Sequence, residues 1–209
     1  SKYITKREFC RSKDGTKIPI FITHSKDLEL NQQNPALLGA YGGFNISITP
    51  GFSSNSIVLL ENGGVYVRAC LRGGGEYGEQ WHRDGMLSNK QNVFDDFIAA
   101  AEKLIEAGFT DPDHPAISGG SNGGLLVGSV MTQRPELFRA VLCTYPDLDM
   151  VRFYQFTEAN NMPALLEYGD ASIPNQFEAM RRYSPYQAIR DGVEYPAVML
   201  TTGDLDTRV

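Results

Sequence analysis

The sequence predicts a single α/β domain over residues 1–209, built on a doubly wound, mostly parallel sheet. Apolar residues run consecutively, not alternately, at 36–40, 64–71, 140–143 and 196–202, the pattern of strands buried on both faces. Between them lie segments with three- and four-residue apolar spacing, so strands and helices alternate along the chain. Several runs stop in glycine-rich loops, Tyr41-Gly42-Gly43-Phe44-Asn45 and Arg72-Gly73-Gly74-Gly75-Glu76-Tyr77-Gly78 among them. In an open parallel sheet the site lies beyond such C-terminal strand ends.

Residues 8–11 and 16–23 read as strands joined by Ser12-Lys13-Asp14-Gly15, whose Asp-Gly favours a tight hairpin turn. The chain thus opens on an antiparallel ribbon. A polar loop ends at Pro35 ahead of strand 36–40, residues 57–61 read as a short helix, and 64–71 as a central strand. From 89 to 107 the residues Val93, Phe94, Phe97, Ile98, Ala101, Leu104 and Ile105 mark one face of an amphipathic helix that Gly108 stops. Pro112 and Pro115 punctuate the loop before the run Ala116-Ile117-Ser118, and a helix through Leu125, Leu126 and Val130 ends at Gln133-Arg134-Pro135. Strand 140–143 follows. Between Pro146 and Pro185 aromatic, charged and proline-containing turns predict short helices over the site. Residues 196–202 read as one more buried strand, with Gly203-Asp204-Leu205-Asp206-Thr207-Arg208-Val209 at its C-terminal end.

A chain of 209 residues can bury a full core. Its net charge of −6 and lack of a basic cluster argue against a nucleic-acid partner. No run approaches the roughly 18 apolar residues of a membrane span, and the first residues lack the apolar stretch of a signal peptide. A cytoplasmic location is expected, or a periplasmic one for a processed chain. Cys10, Cys70 and Cys143 are odd in number and far apart, with no Cys-x-x-Cys and no histidines at metal-ligand spacing. They read as buried free thiols in a reducing compartment, and neither a metal nor a cofactor is expected.

The chemistry is concentrated in Ser118-Gly119-Gly120-Ser121-Asn122-Gly123-Gly124. One reading is a nucleophile elbow: a serine on a sharp strand-to-helix turn needs small residues two before and two after, and Gly119 and Gly123 supply them. The helix that follows turns its positive end to the site, where the Asn122 N–H can stabilise an oxyanion. The alternative is a glycine-rich turn with an incidental serine. A serine hydroxyl needs a histidine base, and the base needs an acid to fix its tautomer. In the order Ser, Asp, His, Asp206 falls in the acid's place, although Asp204 lies within the same turn. His24, His82 and His114 all precede Ser121 and so read as structural or solvent-facing.

The runs Tyr41-Gly42-Gly43-Phe44-Asn45-Ile46-Ser47, Arg72-Gly73-Gly74-Gly75-Glu76-Tyr77-Gly78 with Trp81-His82, the helix start Asn89-Lys90-Gln91-Asn92, the elbow, and Asp206-Thr207-Arg208-Val209 together resemble the catalytic domain of the prolyl oligopeptidase family of serine peptidases. The resemblance implies an α/β-hydrolase fold, Ser121 as nucleophile and Asp206 as triad acid. It implies that the Tyr41 hydroxyl joins the Asn122 N–H in the oxyanion hole, that Arg208 binds a substrate carbonyl, and that Phe44 and Tyr168 line the specificity pocket. Read without it, Tyr41 is equally a cap on the core and Arg208 a surface charge. Short peptides are the implied substrates.

Two departures from the family pattern bear on function. Members that cut after proline carry a tryptophan shortly before the tyrosine matching Tyr168, and Asn160-Asn161-Met162-Pro163-Ala164-Leu165-Leu166-Glu167 has none. The resemblance implies a post-proline or relaxed P1 preference, since the surrounding motifs look more like the prolyl branch; the alternative is that Glu167 or Asp170 favours a basic P1 side chain, as in the oligopeptidase B branch. The family's β-propeller and its C-terminal segment with the catalytic histidine have no counterpart in these residues, so the chain reads as a C-terminally truncated piece that is inactive alone. Rival readings are an esterase or acyl-aminoacyl peptidase on the same scaffold, or a non-catalytic hydrolase-like module.

Overall fold

The computed structural model describes residues 2–51, 53–156, 162–204 and 206. Strands β1 (Tyr3–Arg11) and β2 (Lys17–Ser25) form the expected hairpin, in register from Tyr3 opposite Ser25 to Arg11 opposite Lys17. Both are longer than the apolar runs suggest. The outer strand carries the polar run Thr5-Lys6-Arg7-Glu8 along a mostly exposed edge, so the apolar pattern does not mark its full length. β3 (Ala36–Gly39), α1 (Ser54–Glu61) and β4 (Val65–Ala69) follow, then α2 (Glu79–Arg83), a 3-10 turn at Leu87–Asn89 and α3 (Gln91–Glu106). β5 (Pro115–Gly120), α4 (Asn122–Gln133), β6 (Ala140–Thr144), the short helices α5 (Phe153–Phe156), α6 (Met162–Tyr168), α7 (Pro174–Tyr183) and α8 (Pro185–Ala188), and β7 (Ala197–Thr201) complete the order.

The seven strands form one sheet in the order β1-β2-β4-β3-β5-β6-β7. β1, β2 and β4 pair antiparallel, whereas β4/β3, β3/β5, β5/β6 and β6/β7 are parallel. Ile18, Ile20 and Ile22 of β2, Val65 and Val67 of β4, Leu38 and Ile117 join one core with Val93, Phe94, Phe97 and Leu104 of α3 and Leu125, Leu126 and Val130 of α4. Each such side chain contributes roughly 1.5–3 kcal/mol by leaving water. α1 lies on the other face, where Ile57 and Leu60 share a groove with Phe21 and Tyr66.

One buried ion pair fixes the β4 exit. The Arg72 guanidinium donates to the Asp96 carboxylate of α3 at 2.6 Å and to Ser12 at 3.2 Å, and its backbone N–H donates to Asp96 at 3.1 Å. It also pairs with Asp14 of the hairpin turn, so hairpin, central strand and helix meet at one cation.

β7 is a correction. Its apolar run reads as a buried strand, yet all five residues are exposed. It lies at the sheet edge, with β6 on one side and, among the described residues, no strand on the other. An apolar run reports the capacity to be covered on both faces, not that a cover is present.

Candidate active site

Ser121 stands between β5 and α4 with φ 55° and ψ −125°, backbone angles that cost a non-glycine residue free energy and persist only when the surroundings hold them. The surroundings do hold them. The Ser121 N–H donates to the Thr144 carbonyl at the end of β6 at 3.1 Å, and the Ser121 carbonyl accepts from the Gly124 and Leu125 N–H groups at 2.7 and 3.1 Å, starting α4. A Cβ on Gly119 would lie 1.9 Å from the Gly123 carbonyl oxygen, so the turn closes only on glycine. The incidental-serine alternative does not account for a strained non-glycine residue at the apex of a strand–turn–helix.

The loop after β3 docks on that turn. Asn122, 2% exposed, donates its Nδ2 to the Tyr41 carbonyl at 2.6 Å. Its Oδ1 accepts from the Tyr168 hydroxyl at 3.0 Å. A Cβ on Gly43 would meet Asn122 Nδ2 at 2.6 Å, so glycine there admits the amide. The Tyr41 ring lies beside Gly123, its Cδ2 3.7 Å from where a Cβ would stand. Tyr41 therefore borders the N-terminus of α4.

Tyr168 is buried, and its ring meets Phe44 edge-on at 5.5 Å and Phe153 at 5.8 Å. Burial holds its hydroxyl well above its ordinary pKa, and the nearby Asp147 adds to the effect. The sequence-expected residues Tyr41, Phe44, Asn122 and Tyr168 thus converge beside Ser121. Behind them is a buried charge cluster. Lys90 Nζ donates to Glu167 at 2.9 Å and to the Gly42 carbonyl at 3.0 Å, and lies 5.3 Å from the Tyr168 ring centroid. The other Glu167 oxygen accepts from His82 Nε2 at 2.8 Å. Burial lowers the Lys90 pKa against the opposing pull of Glu167.

This overturns Glu167 as a recognition group for a basic side chain: both its oxygens are taken, and it is 2% exposed. Asp170 accepts from the Ser172 N–H, which with the hydroxyl holds its carboxyl below the usual range. The Trp81 indole donates to the Leu71 carbonyl at 2.9 Å, packing α2 onto the β4 exit.

Asp206 lies just past β7, whose parallel pairing with β6, and of β6 with β5, puts it at the same edge of the sheet as Ser121. Its N–H donates to the Gly203 carbonyl at 3.2 Å. Arg208 lies outside the described residues. His24 bonds the Ser25 carbonyl at 2.7 Å and His114 bonds Asp111 at 2.5 Å, so with His82 on Glu167 each histidine has a partner away from Ser121. Among the described residues no group of histidine, cysteine and carboxylate side chains could hold a metal ion. No helix of the described residues is long and apolar enough to cross a membrane.

Sequence reasoning missed Asp147. It follows β6, as Ser121 follows β5 and Asp206 follows β7. Burial, with Asp206 nearby, pushes its carboxyl up to about 6. Its only signal in the sequence is its place just past a parallel strand.

Residues 50–209 match the prolyl oligopeptidase family. The chain belongs to that family. It is 45% identical over 208 residues to the prolyl endopeptidase of Elizabethkingia miricola, covering 99% of this chain and 29% of that protein. It is 45% identical to the prolyl endopeptidase of Dictyostelium discoideum, covering 100% of this chain and 28% of the relative. Among solved structures, one from a study of two prolyl endopeptidases superposes with a TM-score of 0.97 at 50% identity, covering 100% of this chain and 30% of that one. A post-proline cleaving enzyme from Rickettsia typhi superposes at 0.96 with 42% identity, again over 100% and 30%. The chain thus spans somewhat under a third of the length of the relatives it matches, and its sheet is the α/β-hydrolase type of catalytic domain.

Proposed function

We propose that the whole protein is a serine peptidase that hydrolyses short peptides through an acyl-enzyme on Ser121. The observation that carries this is the strained Ser121 apex at the N-terminus of α4, with Tyr41 and Phe44 held beside it through Asn122 and Tyr168. Family membership supports the peptidase class, and the names of the relatives support acceptance of proline at P1.

Ser121 Oγ attacks the scissile carbonyl carbon while a histidine takes its proton. The resulting oxyanion is met by the Asn122 N–H and the Tyr41 hydroxyl, donors fixed before the charge develops. The C–N bond breaks as the histidine returns the proton to the leaving amine, and water then hydrolyses the ester by the same route. Asp206 orients that histidine. The base comes from the remainder of the whole protein, because His24, His82 and His114 are engaged elsewhere. Arg208 binds a substrate carbonyl in this reading, and the family's β-propeller and C-terminal segment complete the enzyme. Three buried thiols, each pushed up to about 12 chiefly by burial, suit a reducing cytoplasm.

The test is labelling of the whole protein with a fluorophosphonate probe. Covalent labelling that disappears in Ser121→Ala is expected; labelling that survives the substitution assigns the nucleophile elsewhere.

A further inference from the structure

The loop after β3 that carries Tyr41 is strained. Gly42, Phe44 and Asn45 have φ of 65°, 55° and 57°, and two of the three are not glycine, so the conformation persists only where its surroundings fix it. The far end is fixed by backbone bonds: the Asn45 N–H donates to the Gly73 carbonyl at 3.1 Å and the Ile46 N–H to the Gly43 carbonyl at 3.0 Å. The near end is fixed by side chains. The Tyr41 carbonyl accepts from Asn122 Nδ2 at 2.6 Å, and the next carbonyl, that of Gly42, accepts from Lys90 Nζ at 3.0 Å. Consecutive residues of α6 seat these two donors, Glu167 accepting from Lys90 at 2.9 Å and Tyr168 donating to Asn122 at 3.0 Å. Among the described residues no backbone N–H reaches the Gly42 carbonyl. Packing against Val93 and Leu71 places Gly42, and the ammonium sets which way its carbonyl points.

We propose that Lys90 is a positioning residue for the hydrolysis: by holding the Gly42 carbonyl from beneath the site it keeps the Tyr41 hydroxyl aimed at the oxyanion. A glycine directly after Tyr41 lets the chain turn freely there, so the tyrosine keeps one orientation only if both peptide units flanking Gly42 are held. Asn122 holds the first and Lys90 the second. Lysine is a costly choice for this place. Lys90 is 1% exposed, and a buried ion pair is often no more stabilising than two apolar side chains of the same volume. What an apolar side chain lacks is a donor for the Gly42 carbonyl. Buried as it is, Lys90 does not touch substrate and acts through Tyr41.

The role of Lys90 rests on the Ser121 and Tyr41 chemistry proposed above, and a double-mutant cycle separates the two. Steady-state kinetics on one short fluorogenic peptide with proline at P1 compare the whole protein with Lys90→Met/Glu167→Leu, with Tyr41→Phe and with all three substitutions, Ser121→Ala being the blank. The paired change removes the donor without leaving a buried carboxylate alone, and urea unfolding monitors whether it stays folded. It should lower kcat by roughly 10–10²-fold and leave KM within about twofold. Added to Tyr41→Phe it should lower kcat by no more than about twofold, because the hydroxyl that Lys90 aims is already gone. If the paired change does not fold, Lys90→Gln/Glu167→Gln repeats the cycle, glutamine being one bond too short to reach the Gly42 carbonyl. An unchanged kcat in a folded variant overturns the role of Lys90, and so does an equal loss with and without the Tyr41 hydroxyl. A loss that falls on KM alone overturns it as well, assigning the lysine to the shape of the pocket. Full activity in Tyr41→Phe, or hydrolysis that persists in Ser121→Ala, removes instead the chemistry beneath it.

Discussion

Asn122 serves the site through two different parts. Its backbone N–H heads α4 beside the serine, and its side-chain amide ties the Tyr41 carbonyl to the Tyr168 hydroxyl. The first role is legible in sequence, because the residue after an elbow serine begins a helix whatever its side chain. The second is not, since Tyr41, Asn122 and Tyr168 are far apart in the chain and only the folded sheet brings them together. The same limit hid Asp147: nothing local marks it, whereas Gly119 and Gly123 mark Ser121 by the space the turn lacks. Because Asn122 holds the Tyr41 backbone, removing the Tyr41 hydroxyl leaves the loop in place and deletes only a donor. Tyr41→Phe in the whole protein should lower kcat by about 10²–10³ and leave KM nearly unchanged. Steady-state kinetics on one peptide decides; an equal rise in KM would assign the hydroxyl to ground-state binding.

At the scale of elements, the oxyanion loop is braced from behind by groups on α2, α6 and the turn entering α3. Lys90 reaches the Gly42 carbonyl, Glu167 holds Lys90, and His82 of α2 holds Glu167. The periodicity of α3 was plain in the sequence, with Val93, Phe94, Phe97 and Leu104 all buried as spaced. α2 was not, because five residues carry too little periodicity to distinguish a helix from a loop. Glu167 looked like a recognition residue for the same reason: its neighbours in sequence said nothing of the lysine packed on it. A buried pair costs little when whole and much when broken. Lys90→Met should destabilise the whole protein by about 3–5 kcal/mol in urea unfolding, and Lys90→Met with Glu167→Leu should recover most of that loss. A double variant no more stable than the single one would show that the lysine acts through its contact with Gly42 and not through the ion pair.

For the molecule as a whole, the mostly parallel sheet followed from the alternation of strand and helix patterns, while its strand order and the state of its β7 edge did not. β7 pairs with β6 through Ala197–Thr201, and Val198, Met199 and Leu200 are 43, 59 and 59% exposed. Met199 lies beside Leu142, itself 40% exposed, on one face. On the other, Val198 and Leu200 line an apolar groove with Leu148, Pro185, Tyr186 and Ile189. A strand with open backbone groups on one side and apolar side chains on both faces is a template for pairing with another chain. Nothing comparable holds at β1, where Lys6, Arg7 and Glu8 stand in succession and disfavour edge-to-edge contact. The 209-residue chain expressed by itself should therefore self-associate through β7 and not through β1. Light scattering across a concentration series is expected to show growth in mass that Val198→Lys with Leu200→Lys suppresses, because charges on that face must be desolvated for a second sheet to stack. A matching pair of changes on β1, Ile4→Lys with Lys6→Glu, should leave the growth unaltered, and association that ignores the β7 substitutions would place the adhesive surface elsewhere.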